Sequence, residues 1–99
     1  MIRSIICCCG SGLGSSIMLE MNLRRALDSM GKSEVITGHS SISEISPDAA
    51  DLFITGKDTA QQLRDYPRVI VLSKILSLEE LTAKLRTAFE EEAERFVIG

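Results

Sequence analysis

The residues from Ile2 to Cys8 form a short, mainly apolar run closed by Gly10, Gly12 and Gly14. It is too short for a helix and suits a buried parallel strand. From Ser15 to Met30 the apolar positions Leu19, Leu23, Ala26, Leu27 and Met30 recur at helical spacing, and Gly31 stands where a helix takes its left-handed C′ residue. Ile17, Met18 and Met21 fall on other faces of this helix, which predicts that its start is more enclosed than its end. Glu34 to Thr37 reads as a weak strand carrying Val35 and Ile36. Gly38 to Ala50 reads as a polar loop with one helical turn, anchored by Ile42 and Ile45. Asp51 to Thr55 is a third strand ended by Gly56, and a short polar helix follows near Asp58 to Asp65. Pro67 opens a fourth strand, Arg68 to Leu72. In the last element Ser77 and Glu80 spell a capping box, and the stripe of Leu78, Leu81, Leu85, Ala88, Phe89 and Phe96 predicts a helix to about Arg95.

Strands alternating with helices across short connections predict right-handed crossovers and one parallel sheet, a small α/β domain. There are no internal repeats and no low-complexity linker, so residues 1–99 are expected to form a single domain. A chain of 10.8 kDa buries about 65% of its unfolded surface, enough for a core without disulfides or metal. With 44% hydrophobic and 25% charged residues it falls in the ordinary folded class.

Several function classes drop out. Eleven basic against fourteen acidic residues give a net charge of -3, with no basic stripe or aromatic cluster to track a nucleic-acid strand. No apolar run approaches the roughly 20 residues of a membrane span, and the N-terminus lacks a signal-peptide pattern, so a cytoplasmic location is expected. Cys7, Cys8 and Cys9 are contiguous, and alternate residues of a strand point to opposite faces, which excludes an ordinary bridge between neighbours. No CxxC pair exists and His39 is the single histidine, so no stable metal site is expected. Cys7 and Cys8 read as core residues, and His39 reads as a surface loop residue without a role.

The chemistry concentrates in Cys9-Gly10-Ser11-Gly12-Leu13-Gly14-Ser15-Ser16. In parallel sheets ligands bind beyond the carboxyl ends of the strands, where this loop lies. Three glycines in five residues let successive N–H groups face inward as an anion nest, and the helix N-terminus adds partial positive charge. Ser11, Ser15 and Ser16 offer hydroxyls, and phosphate is the natural guest. The field that attracts phosphate also favours thiolate, which makes Cys9 the candidate nucleophile. Lys57 and Lys74 follow strands three and four and share that rim if the topology holds.

Three loops compete for this spelling. The nucleotide P-loop needs a lysine where Ser15 and Ser16 stand, and the dinucleotide fingerprint meets Ser15 at its third glycine. The low-molecular-weight tyrosine phosphatase loop, C-x5-R-S, matches at both ends but has Ser15 at the arginine position. Without a guanidinium clamp efficient ester hydrolysis is not expected, whereas a phosphocysteine can still form.

The segment Cys9 to Ser16 resembles the C-G-x-G-x-G-S-S loop of the IIB components of the phosphoenolpyruvate-dependent sugar phosphotransferase system, ascorbate and galactitol branch. Met18-Leu19-Glu20-Met21-Asn22 adds to the ascorbate side, and length and element order agree over nearly the whole chain. The resemblance implies a four-stranded parallel sheet of order 2-1-3-4 in a three-layer, phosphatase-like fold. It further implies that Cys9 takes a phosphoryl group from a IIA phosphohistidine and passes it to a sugar in a membrane IIC protein. Gly10, Ser11, Gly12, Leu13, Gly14, Ser15 and Ser16 would bind the phosphate, with no cofactor, and the chain would associate peripherally with the membrane. A regulatory switch built on the same loop and a cysteine-dependent phosphatase are the alternatives.

Overall fold

The computed structural model describes residues 2–9 and 14–99. The chain runs β1 (Ser4–Cys9), α1 (Gly14–Ser29), β2 (Ile36–Ser41), β3 (Leu52–Gly56), β4 (Arg68–Leu72), α2 (Leu78–Glu90) and β5 (Phe96–Ile98). Short 3-10 turns lie at Ile42–Glu44 and Ala60–Leu63. All pairings are parallel and the sheet order is β2-β1-β3-β4-β5. The expected 2-1-3-4 sheet is therefore present, extended by a fifth strand.

Both helices cover one face of the sheet. Leu19, Leu23 and Leu27 of α1 and Leu81, Leu85 and Ala88 of α2 pack there on Ile5, Cys7, Ile54 and Ile70. The other face is covered by thinner material: Cys8, Phe53 and Val69 meet Leu63, Ile42, Ile45 and Tyr66. Phe53 and Tyr66 pack edge to face with ring centroids 4.8 Å apart. The strand residues thus alternate between two cores, which is why β1 and β3 read as continuous apolar runs and not as alternating ones.

The end of α1 follows its spelling. Gly31 takes φ +73°, Lys32 N–H donates to the Leu27 carbonyl at 2.8 Å and Gly31 N–H to Asp28 at 3.3 Å. These two bonds close the helix as a Schellman motif.

Four expectations need correction. The last helix stops at Glu90 and not near Arg95, and Phe96 lies in β5, pairing with Arg68. Glu90, Glu91, Glu92 and Glu94 put like charges on the negative end of the helix dipole, which disfavours its continuation. β2 runs from Ile36 to Ser41, later than Glu34 to Thr37, so that Gly38 to Ser41 are strand and not loop; pairing with β1 supplies the bonds that side-chain propensity does not. The start of α1 is open: Ile17, Met18 and Met21 are 42%, 52% and 58% exposed, because the helix rests on the sheet through Leu19 and Leu23 and these three side chains lie on its other faces. The capping box is half formed. Ser77 Oγ accepts from Glu80 N–H at 3.2 Å, but the Glu80 carboxylate turns to Ser73 N–H at 2.7 Å, Lys74 N–H at 2.8 Å and Lys84 Nζ at 2.7 Å.

Candidate functional site

Cys9 is the last residue of β1 and pairs with Ser41. Strand alternation sends Cys7 into the helix-side core and Cys8 into the opposite one, so Cys9 leaves the sheet on the helix side. It is 6% exposed. From the first turn of α1, Ser15 Oγ–H donates to Cys9 Sγ at 3.1 Å, Ser16 is fully buried and Gly14 opens the helix. The helix N-terminus, with its orphan N–H groups and partial positive charge, is thereby set against the thiol. Gly10, Ser11, Gly12 and Leu13, the rest of the expected phosphate nest, lie outside the described residues.

The other two thiols are held protonated. Burial, then the neighbouring charges of Cys8, Glu20 and Cys9, pushes the Cys7 thiol up. Burial and then Cys9 push Cys8 up to about 12. A thiol that stays protonated is a poor nucleophile, so neither Cys7 nor Cys8 suits nucleophilic chemistry.

A neighbouring strand braces the end of β1. Buried Thr55, near the end of β3, donates from Oγ1 to the Cys8 carbonyl at 3.3 Å and is hydrogen bonded to the Thr59 hydroxyl. Asn22 Nδ2 donates to the Leu76 carbonyl at 3.1 Å, tying α1 to the β4–α2 connection that Glu80 pins from the other side. That carboxyl is lowered to about 2 by hydrogen bonds from Lys84, Ser73 and Lys74. Lys57 and Lys74 are exposed and follow β3 and β4 at the carboxyl edge, as expected. The placement of Thr55, Asn22 and Glu80 has no local spelling; only the topology brings Thr55 to the end of β1 and Asn22 and Glu80 to the β4–α2 connection.

His39 is the clearest residue that sequence reasoning passed over. It stands in β2, and its Nδ1 lies 2.6 Å from Glu20 Oε1 on α1. Thr37 Oγ1 donates to Glu20 Oε2 at 2.7 Å, and Arg24 donates to Thr37 Oγ1 at 3.3 Å and to the Val35 carbonyl at 2.6 Å. Partial burial pushes the Glu20 carboxyl up, but hydrogen bonds from His39 and Thr37, with the charges of His39 and Arg24, outweigh it and lower it. A cavity of about 910 Å³ at the opposite end of the sheet, lined by Arg3, Val35, Arg68, Phe89 and Phe96, contains no cysteine or histidine.

The fold agrees with the comparison to known proteins. The family described as "PTS system, Lactose/Cellobiose specific IIB subunit" matches residues 4–91. The chain belongs to this family. It is 37% identical over 68 residues, 68% of its length, to the "PTS system mannitol-specific EIICBA component" of Escherichia coli (strain K12), and equally to that of Klebsiella pneumoniae. Those matches span 10% and 11% of the two relatives. The fold is shared with the lactose-specific IIB component domain of the phosphotransferase system from Streptococcus pneumoniae, at TM-score 0.58 and 15% identity over 93% of this chain and 98% of that one. The family is thus a IIB family of the sugar phosphotransferase system, while the ascorbate and galactitol branch named from the loop is not the one these matches print.

Proposed function

We propose that the chain is a phosphoryl carrier whose Cys9 forms a phosphocysteine. The observation that carries this reading is the placement of a nearly buried thiol at the carboxyl end of β1, facing the first turn of α1 and accepting a hydrogen bond from Ser15. In the first step the Cys9 thiolate attacks a phosphohistidine of a IIA protein. The P–N bond breaks, the S–P bond forms and the donor imidazole recovers its electron pair. In the second a sugar hydroxyl attacks phosphorus, the S–P bond breaks with sulfur departing as thiolate, and the hydroxyl proton passes to solvent.

Gly10, Ser11, Gly12, Leu13, Gly14, Ser15 and Ser16 hold the phosphoryl oxygens through N–H and O–H donors. No guanidinium stands in the Cys9–Ser16 segment, where Ser15 occupies the arginine position of a phosphatase loop. Neutral donors hold the group without the full clamp on a hydrolytic transition state, which suits a relay better than a hydrolase.

The acceptor sugar sits in a membrane IIC protein, with this chain at the membrane surface; among its described residues no helix is long and apolar enough to cross a membrane. The loop spelling and Met18 to Asn22 favour ascorbate as that sugar. The likeness to mannitol proteins favours mannitol as a second reading. The test is phosphoryl transfer from labelled phosphoenolpyruvate through the general proteins and a IIA donor, to membranes carrying either transporter. Phosphorylated ascorbate with the ascorbate pair alone supports the first reading, and product with the mannitol pair alone replaces it by the second. Rapid hydrolysis of aryl phosphates by the chain itself would contradict the relay.

A further inference from the structure

The imidazole of His39 is the one ring nitrogen pair in the chain, and it is held in a way that loop histidines are not. Glu20 is lowered by its partners and accepts as a carboxylate, so the 2.6 Å contact places a hydrogen on Nδ1, and in the neutral ring the lone pair then lies on Nε2. Thr37 occupies the second oxygen of Glu20 and Arg24 in turn holds Thr37, so the carboxylate cannot swing away without breaking a chain of bonds. The His39 side chain is 34% exposed.

The sheet register gives this imidazole its place. His39 pairs with Cys7 in a parallel ladder, so it leaves the same face as Cys7 and, two residues later, Cys9. Strand spacing of about 4.8 Å and a rise of about 3.3 Å per residue put the His39 and Cys9 Cα atoms roughly 8 Å apart. An electrophile presented at Cys9 is within one side-chain length of His39.

We propose that His39 Nε2 is a second nucleophile of this chain, one that accepts a phosphoryl group from a phosphoramidate-type donor with Glu20 as its orienting base. The Nε2 lone pair attacks phosphorus, the P–N bond of the donor breaks, and the leaving amine departs with its electron pair and takes its proton from solvent. The positive charge that develops on the ring is met by Glu20 through Nδ1–H, as a carboxylate meets imidazolium in other activated histidines. The proposal rests on the phosphoryl-carrier reading only for the kind of electrophile that reaches this edge of the sheet.

The probe is potassium phosphoramidate, from which ammonia is the leaving group. Wild type, Cys9→Ser, His39→Gln and Glu20→Gln are treated near neutral pH, and phosphate is located by mass spectrometry under alkaline handling. In Cys9→Ser, one acid-labile phosphate is expected on His39, formed faster than on the same residue of the urea-unfolded chain. It is absent in His39→Gln and forms at least about tenfold more slowly in Glu20→Gln. An unlabelled His39 overturns the proposal whether or not Cys9 is labelled, and so does a rate unchanged in Glu20→Gln. A labelled His39 beside an unlabelled Cys9 in wild type supports it and counts instead against the Cys9 reading.

Discussion

The hydroxyl of Ser15 donates to the sulfur of Cys9 across 3.1 Å, from the first turn of α1 to the last residue of β1. A hydrogen bond to a charged group is worth about 1.5–3 kcal/mol, more than one to a neutral group. Ser15→Ala is expected to slow phosphoryl acceptance by about tenfold, in line with such a bond, with the urea midpoint little changed. Stopped-flow or quench-flow transfer assays check it, and an unaltered rate would remove Ser15 from the site.

Cys7 and Cys8 are fully buried on opposite faces of β1. Replacing either by serine places a hydroxyl in an apolar core at a cost of about 1–3 kcal/mol. Urea unfolding is expected to register that loss for both variants, while iodoacetamide labelling of the native wild type stays confined to Cys9.

The same burial makes stability depend on alkaline pH. The Cys8 thiol is raised from its ordinary 9.0 to about 12 in the folded chain. A thiol raised on folding contributes its full stability below the unfolded value, and the unfolded chain releases its proton first as pH rises. Stability is therefore expected to fall between pH 9.0 and about 12. In Cys8→Ala that fall is shallower, as urea titrations at stepped pH will show.

At the other end of the scale stands Glu80, lowered from 4.5 to about 2 by Lys84 and the Ser73 and Lys74 amides. A carboxyl lowered on folding stabilises above its unfolded value and loses that contribution as pH falls through the folded one. Glu80→Gln is expected to flatten the acid limb between pH 4.5 and about 2. It is also expected to speed hydrogen exchange at the Ser73 and Lys74 amides, because their acceptor is weakened.

Much of this architecture is legible in the sequence, and the misses share a cause. β1, β3 and β4 are apolar runs between turn residues, and α1 and α2 carry clean stripes ended by Gly31 and begun by Ser77. Phe96 misleads because it lies seven residues after Phe89, a spacing that fits the helical stripe as well as a new strand, and three residues of β5 are too few to show a period of two. His39 misleads because after Ile36 and Thr37 the strand continues as Gly-His-Ser-Ser, which has little β propensity of its own; it is extended because β1 beside it supplies hydrogen bonds. The Cys9 end of the candidate site stands out in the sequence because a strand, a glycine cluster and a helix start are contiguous. The Glu20–His39 pair is not, since the residues are nineteen apart and meet only when α1 folds back over β2.

The central claim is that Cys9 carries the phosphoryl group, and the most direct measurement is its location. The chain is incubated with phosphoenolpyruvate, the general phosphotransferase proteins and a IIA donor, and the phosphate is mapped by mass spectrometry in wild type and Cys9→Ser. One phosphate on Cys9 in wild type, with none on residue 9 in Cys9→Ser, is the predicted result. Wild type that stays unmodified at Cys9 across the ascorbate-type, mannitol-type and lactose-type donors, or a phosphate mapped to Cys7 or Cys8, would contradict it.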